Sequence, residues 1–388
     1  MLYNLINALE DTLAEYEIWS VLQVLNRVSF RALTAALVAF LIVLILGKPV
    51  IRWLTARKIG DAASFDHDAL DRALESKKDT PTMGGVLIAA AIFGASALFA
   101  DLTNFYVQMA MILLLWMSAV GGMDDWLKLT ASRRGDAQRQ GLYAWEKLVF
   151  QLAIGAMIGW FVFRHGDSPP HLGHVLNLPF QKTYETTTRL PADHLIYLPW
   201  WVFVPLTAVM IAGMSNAVNI TDGMDGLATG ITAFISFALL ALCIIAGWQV
   251  ASQYLLVPFV QYSDELSVVA GAMAGATLGF LWWNAAPAAV FMGDTGSLCL
   301  GGLLGYIAIV IRQEILVLLM AGVFLIEIGS VVLQVGCYKL TGGRRIFRCA
   351  PFHWHLHLGG WPESKVVARL WIVTLMLVAI ALVSIKVR

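Results

Sequence analysis

Charge is what this chain has least of. Of its 388 residues only 13% are Asp, Glu, Lys or Arg, whereas 59% are hydrophobic, and that balance excludes an ordinary set of soluble domains. Acids and bases number 26 each, so there is no net positive field to attract nucleic acid, and the placement of the basic residues carries the information instead. Cysteine is scarce. Cys243, Cys299, Cys337 and Cys349 lie in or beside apolar runs without CxxC spacing, which excludes a zinc ribbon and a disulfide framework. No internal repeat of about 20–50 residues and no low-complexity tract is present, so neither a solenoid nor a separable soluble domain can be cut out. The N-terminus also lacks a basic segment followed by a cleavage site. Residues 1–25 mix Glu10, Asp11, Glu15 and Glu17 with Leu, Ile and Trp, and read as an interfacial helix retained on the protein.

What the chain has in quantity is long apolar runs. A spanning helix needs roughly 17–25 mostly apolar residues. About ten segments qualify, near 31–55, 84–100, 105–123, 147–163, 198–215, 227–247, 266–283, 297–311, 315–337 and 366–385. The expected fold is therefore an all-α integral membrane protein, a single polytopic domain over 1–388. Lys48 to Lys78, Lys128 to Lys147 and Lys339 to Arg369 hold 18 of the 26 basic residues. The positive-inside rule makes that face cytoplasmic and puts both termini outside. The cytoplasmic loops are then 56–83, 124–146, 216–226, 284–297 and 338–365. Residues 165–197 form the longest outer loop, with four prolines and a β-prone Tyr184-Glu-Thr-Thr-Thr188, and read as a small hairpin or cap.

Polar clusters converge on the cytoplasmic face. Asn216-Ala-Val-Asn-Ile-Thr-Asp-Gly-Met-Asp-Gly226 directly follows an apolar run, where unsatisfied amides and acids cost several kcal/mol. Gly223 and Gly226 are expected to break the helix there. Asp124-Asp125 closes the third span, and adjacent acids at a membrane boundary suit a divalent ion or a general base; a solvated helix end is the plain alternative. Lys128 lies four residues after Asp124, on one helical face, to meet a phosphate or pair with the acid. Phe291-Met-Gly-Asp294-Thr-Gly-Ser297 follows Asn284 and opens a helix, an arrangement suited to a metal-bridged diphosphate or simply to an N-cap. Lys77 and Thr82, before Gly84-Gly85, fit phosphate donors or a membrane anchor. His353, His355 and His357 sit beside Arg344, Arg345 and Arg348 without a second zinc-ligand pair. Acids for a divalent ion, bases for phosphates, an aromatic for a base and membrane burial together point to phosphoryl transfer to a lipid carrier, chemistry that needs positioning and charge neutralisation and no nucleophilic triad.

Taken in order, Thr80-Pro-Thr-Met-Gly-Gly85, Asp124-Asp125, Asn216 to Leu227, Phe291 to Ser297, and Arg345-Ile-Phe-Arg348 followed by Ala350-Pro351 and His353 resemble the MraY family, the phospho-N-acetylmuramoyl-pentapeptide transferases of bacterial cell-wall synthesis. The resemblance runs from about residue 31 to the end. It implies ten spans with periplasmic termini in the bacterial inner membrane, and transfer from UDP-N-acetylmuramoyl-pentapeptide to undecaprenyl phosphate with Mg²⁺, giving lipid I and UMP. By motif position it implies that Asp124 and Asp125 handle the lipid phosphate and that Asp294 is the magnesium ligand. Lys77, Thr82, Asn219, Asp222 and Asp225 fall at the nucleotide and diphosphate, Gly223 and Met224 near the uracil, and Phe291 stacks on it. Lys128 and Lys147 match family lysines near the active site; a homodimer is a family expectation alone. One departure stands out. The family has three consecutive histidines, then an aromatic residue and Glu, whereas Trp354 replaces the middle His here and His357 the Glu. Direct attack of the lipid phosphate is favoured over a covalent phospho-sugar enzyme. A transferase of N-acetylglucosamine-1-phosphate shares the acid motifs. An ion-coupled transporter would instead need acids near the midplane and paired broken helices.

Overall fold

Inside hydrocarbon a backbone must satisfy its own N–H and C=O groups, and runs such as Leu227–Gly247 can do so only as helices. The computed structural model, which describes residues 1–15, 22–57, 80–134, 141–166, 172–185 and 188–386, is built accordingly. Two short helices, α1 (Leu2–Ala8) and α2 (Glu10–Glu15), precede α3 (Val28–Ala56), α4 (Gly85–Phe99), α5 (Phe105–Arg134) and α6 (Ala144–His165). After a strand pair come α7 (Trp200–Thr221), α8 (Leu227–Gly247), the short α9 (Gln249–Tyr254), α10 (Leu266–Asn284) and α11 (Gly293–Val310). The chain ends with α12 (Glu314–Met320), α13 (Gly322–Leu340), α14 (Phe352–His357) and α15 (Glu363–Lys386). Among the described residues nine helices are long and apolar enough to cross a membrane. α4, at 15 residues, rises only about 22 Å against a hydrocarbon core of about 30 Å. The expected span 315–337 is divided at Ala321 into α12 and α13.

α11 is the central post. Of its spanning stretch 94% is buried, and it packs against α4, α5, α7 and α8. Its many glycines, which make it poor as an apolar run, are what let neighbours come close. A Cβ added to Gly301 would stand 2.4 Å from the Met214 carbonyl oxygen of α7, and one on Gly305 2.6 Å from that of Met210. α10 repeats the device against α3. Gly271, Gly275 and Gly279, one turn apart, face the carbonyl oxygens of Ala32, Ala36 and Phe40.

One end of the bundle carries buried ion pairs. Arg31, at the start of α3, pairs with Glu265 just before α10 and donates to the Phe99 carbonyl at 3.0 Å. The Asp101 backbone N–H reaches Glu265 at 3.1 Å. α1 docks on this cluster through Asn4, which donates to Asp101 at 2.8 Å, and Tyr3, whose ring lies 3.8 Å beneath the Arg31 guanidinium. Arg312, after α11, pairs with Glu314 at 2.6 Å and donates to the Val175 carbonyl at 2.9 Å. That bond ties down β1 (Val175–Leu176), which pairs antiparallel with β2 (Ile196–Tyr197). Because successive helices alternate in direction, the end of α5, the end of α7 and the start of α11 meet at the opposite end.

Candidate active site

Two lysines and three aspartates form the centre. Lys147, on the first turn of α6, places Nζ 2.9 Å from Asp124 Oδ2 and 2.7 Å from Asp294 Oδ2. Lys128, one turn after Asp124 on α5, reaches the same two acids at 2.8 and 3.2 Å. Each ammonium therefore bridges the same carboxylate pair. Asp124 is fully buried, and its other oxygen accepts the Leu142 backbone N–H at 2.8 Å. Asn219, on the last turns of α7, donates to Asp294 Oδ1 at 2.9 Å and to Ser297 Oγ at 2.8 Å.

Asp125 behaves differently from its neighbour. It accepts the backbone N–H groups of Asp294 and Thr295, each at 3.0 Å, and the Thr295 hydroxyl at 2.6 Å. These are donors that the start of α11 would otherwise leave without partners. The turn before it depends on Gly293, whose φ of +73° is unfavourable for other residues, and a Cβ there would stand 2.8 Å from Asp125 Oδ2. Just past the end of α7, burial, with Asp294 and Asp125 nearby, pushes the Asp222 carboxyl up to about 8. Oxygens of Asp124, Asp125 and Asp294 all lie within 4.8 Å of one another. An anionic, all-oxygen donor set of this kind fits a hard divalent cation, and two ammonium groups already sit against it.

The remaining residues singled out in the sequence fall around this centre in distinct ways. Thr82 is buried beside Gly293. Its segment is strapped to the start of α11: Phe291 donates its N–H to the Pro81 carbonyl, and Gly84 and Gly85 donate to the carbonyls of Phe291 and Met292, leaving the Phe291 ring half-buried. Lys77 lies outside the described residues. Asn216 is one turn deeper on α7, bonded to Gln151 of α6. α7 ends at Thr221, Asp222 caps it, and Gly226, with φ of +76°, starts α8. Between them Met224 packs into the apolar core, and Asp225 accepts the Ala288 N–H at 3.0 Å. Asn284 stitches two loops together: it accepts from Gly226 N–H and Thr229 Oγ1 and donates to the Val290 carbonyl. His355 faces its own loop, accepting the Arg348 N–H at 3.1 Å and stacking on Phe352. His353 is buried against Gly223.

Several participants carried no motif in the sequence. Leu142 contributes only a backbone N–H, which no side-chain pattern reveals. Gln151, a polar residue inside the run 147–163, and Glu363, just before the run 366–385, which accepts the Asp225 N–H at 3.0 Å, carried no motif. Glu327, inside the 315–337 run, bonds His353; a lone acid in a span is a signal for function that could have found it.

A family model described as glycosyl transferase family 4 matches residues 105–312. A signature described as phospho-N-acetylmuramoyl-pentapeptide-transferase signature 1 matches residues 77–88. A phospho-N-acetylmuramoyl-pentapeptide-transferase of Thermodesulfovibrio yellowstonii is 39% identical over 388 residues, the whole of both chains.

Proposed function

The chain belongs to the phospho-N-acetylmuramoyl-pentapeptide-transferase family, and from that premise we propose that it moves phospho-N-acetylmuramoyl-pentapeptide from its UDP donor to undecaprenyl phosphate, releasing UMP. The reaction is the one that forms lipid I in peptidoglycan synthesis. The observation that carries it is the pair Lys128 and Lys147, each bridging Asp124 and Asp294 at one end of the helix bundle. A buried carboxylate pair held by two ammonium groups is a site ready to exchange partners. An incoming diphosphate draws the lysines to its own oxygens, and the carboxylates become free to hold a cation.

Mg²⁺ is the cation this reading assigns, with Asp294 its ligand and Asp124 and Asp125 beside it; when bound it neutralises charge on the diphosphate. Lys128 and Lys147 bind and orient the diphosphate, and Asn219 fixes the Asp294 carboxylate through its amide. Asp125 holds the α11 turn so that Asp294 faces inward. An oxygen of the lipid phosphate attacks the sugar-bearing phosphorus in line, the bond to the UMP oxygen breaks, and UMP leaves as the new diphosphate bond forms. Asp124, next to both lysines, takes any proton carried by the acceptor phosphate. The Asp222–Gly226 loop, Thr82 and Phe291 form the wall for the nucleotide half of the donor.

Topology agrees with this assignment. The lysine-aspartate centre shares its end of the bundle with the Lys- and Arg-rich loops, which supports a cytoplasmic site, and α1 docks at the other end, which supports a periplasmic N-terminus in a bacterial inner membrane. The acids of the centre, Asp124, Asp125 and Asp294, stand at helix ends and not at the midplane, which disfavours an ion-coupled transporter. The test is UMP release by purified protein from UDP-N-acetylmuramoyl-pentapeptide, with and without undecaprenyl phosphate and Mg²⁺. Release that needs both supports the reading. Release from UDP-N-acetylglucosamine instead would reassign the substrate.

A further inference from the structure

Glu327 and His353 make a buried pair that the lysine-aspartate chemistry does not use. Glu327 sits on α13 and His353 in the first turn of α14, 26 residues later, and both side chains have no exposed surface. Glu327 Oε2 meets the His353 backbone N–H at 3.2 Å and ring Nδ1 at 3.0 Å. An oxygen that already accepts the backbone N–H takes Nδ1 as a second donor, so the ring proton belongs on Nδ1. The opposite ring atom, Nε2, is buried and has no partner among the described residues. It points at Gly223: a Cβ built there would stand 2.5 Å from Nε2, 3.0 Å from Cε1 and 3.3 Å from the Trp354 indole nitrogen.

A fully buried imidazole nitrogen left without a partner costs free energy unless something arrives to use it. Gly223 belongs to the loop assigned above to the nucleotide half of the donor. We propose that Glu327 is a positioning residue, which fixes the His353 ring so that Nε2 accepts a hydrogen bond from that half of the donor. The inference rests on the transferase reading. The supporting scaffold is specific. Glu327 and Gln334 lie two turns apart on one face of α13, and Gln334 accepts the backbone N–H groups of Ile346 and Phe347 at 3.0 and 2.9 Å and donates to the Phe347 carbonyl at 3.1 Å. One helix thus anchors the loop before α14 while its acid sets the ring of the residue that follows. Gly223 is small because the ring edge occupies the space a side chain would take.

The experiment is a double-substitution cycle with a spectroscopic readout. In His353→Asn the amide nitrogen takes the place of Nδ1 and keeps the bond to Glu327, but nothing replaces Nε2. In Glu327→Gln the amide oxygen can still accept both donors, whereas Glu327→Ala removes the acceptor. His353→Asn and Glu327→Ala are each expected to lower kcat/KM by at least about tenfold, the equivalent of one hydrogen bond. The double variant is expected to lose no more than His353→Asn alone, because Glu327 acts only through the ring. Glu327→Gln should recover most of the loss. Nitrogen-15 spectra of histidine-labelled protein, assigned with His353→Asn, should show His353 protonated at Nδ1 in the wild type and a mixture of tautomers in Glu327→Ala. Losses that multiply in the double variant, or a wild-type ring protonated only at Nε2, would overturn the proposal. Full activity in Glu327→Ala would do the same. The ring spectrum decides the orientation whether or not Glu327→Ala folds. It also separates the two claims, because a wild-type protein that releases no UMP refutes the transferase reading while leaving the ring's protonation measurable.

Discussion

Lys147→Met should have two effects of opposite sign. Asp124, Asp125 and Asp294 have oxygens within 4.8 Å of one another. At that separation two unit negative charges repel by about 3–4 kcal/mol at an effective dielectric of about 20. Lys147 Nζ, at 2.9 and 2.7 Å from two of these acids, offsets much of that. Without it the cluster must find another cation, and Lys128 alone is a weak substitute because its side chain is 39% exposed against 18% for Lys147, where water screens it. Divalent-cation affinity, read with Mn²⁺ by calorimetry or paramagnetic relaxation, should therefore rise by at least about tenfold, which takes only about 1.4 kcal/mol of the repulsion. Turnover should move the other way. A donor to the transferring phosphates is gone, and kcat/KM should fall by about 10²–10³, as for the loss of one charge-stabilising donor. Lys128→Met should show both effects more weakly. A Lys147→Met protein with weaker cation binding, or with near-normal kcat/KM, would refute the view that the lysines hold the place of a cation and exchange it for diphosphate.

Three further outcomes follow from the geometry. Gly293→Ala forces a side chain into a φ of +73° and against Asp125, at a cost of about 1–3 kcal/mol; activity should collapse with a lowered melting temperature, and an unaffected variant would mean that the turn is not needed. Arg31→Met leaves Glu265 buried without its partner, and removing one member of such a pair costs about 3–5 kcal/mol, so thermal stability in detergent should drop while KM for the donor stays unchanged. Asp222, with its pKa raised to about 8 from 3.8, keeps a proton in the folded state that the unfolded chain has lost. Its contribution is therefore whole below about pH 4 and is lost as pH rises through about 8, with a slope near 1.4 kcal/mol per pH unit between them. Melting curves of wild type and Asp222→Asn, taken without metal, should converge at low pH and separate as pH rises, and parallel curves would contradict the shift.

Much of the fold was legible in the sequence because hydrocarbon imposes a simple length rule, and apolar runs from 31–55 to 366–385 correspond to helices. The rule fails where local packing decides. The start of α4 is fixed by the bonds of Gly84 and Gly85 to Phe291 and Met292, and the run 315–337 is divided at Ala321, which no Pro marks. The site was legible as residue types, and less so as roles. A motif does not show that the Asn284 and Asp225 side chains also bond backbone groups of the neighbouring loops and, for Asn284, Thr229 of α8. Met224, beside them, is a core residue. Leu142 was silent because it acts through its backbone, whereas Glu327 was visible as a lone acid in an apolar run but without a motif to assign its partner.

The acid pair at the end of α5 shows why adjacency in sequence is a poor guide to equivalence in function. Successive residues on an α-helix point about 100° apart, so Asp124 and Asp125 have different hydrogen-bond partners even though one oxygen of each lies within 4.8 Å of the other and of Asp294. Asp124 turns to the lysines and the Leu142 N–H; Asp125 turns to the first turn of α11 and takes three of its donors. That division couples the site to the bundle's central helix. Gly121, one turn before Asp125, lies so close to α11 that an added Cβ would stand 2.2 Å from the Asp294 carbonyl oxygen, so one face of α5 is held to α11 by backbone contact at Gly121 and, a turn later, by the Asp125 carboxylate. Asp294 is then placed by both of its neighbours' bonds before any ligand arrives. Asp125→Asn tests this directly. The amide can keep one acceptor but turns a donor toward the Thr295 N–H or the Asp294 N–H, so stability and activity should fall together. Asp124→Asn, which leaves the α11 turn untouched, should lose activity with little change in melting temperature. The same pattern in both variants would refute the division of labour.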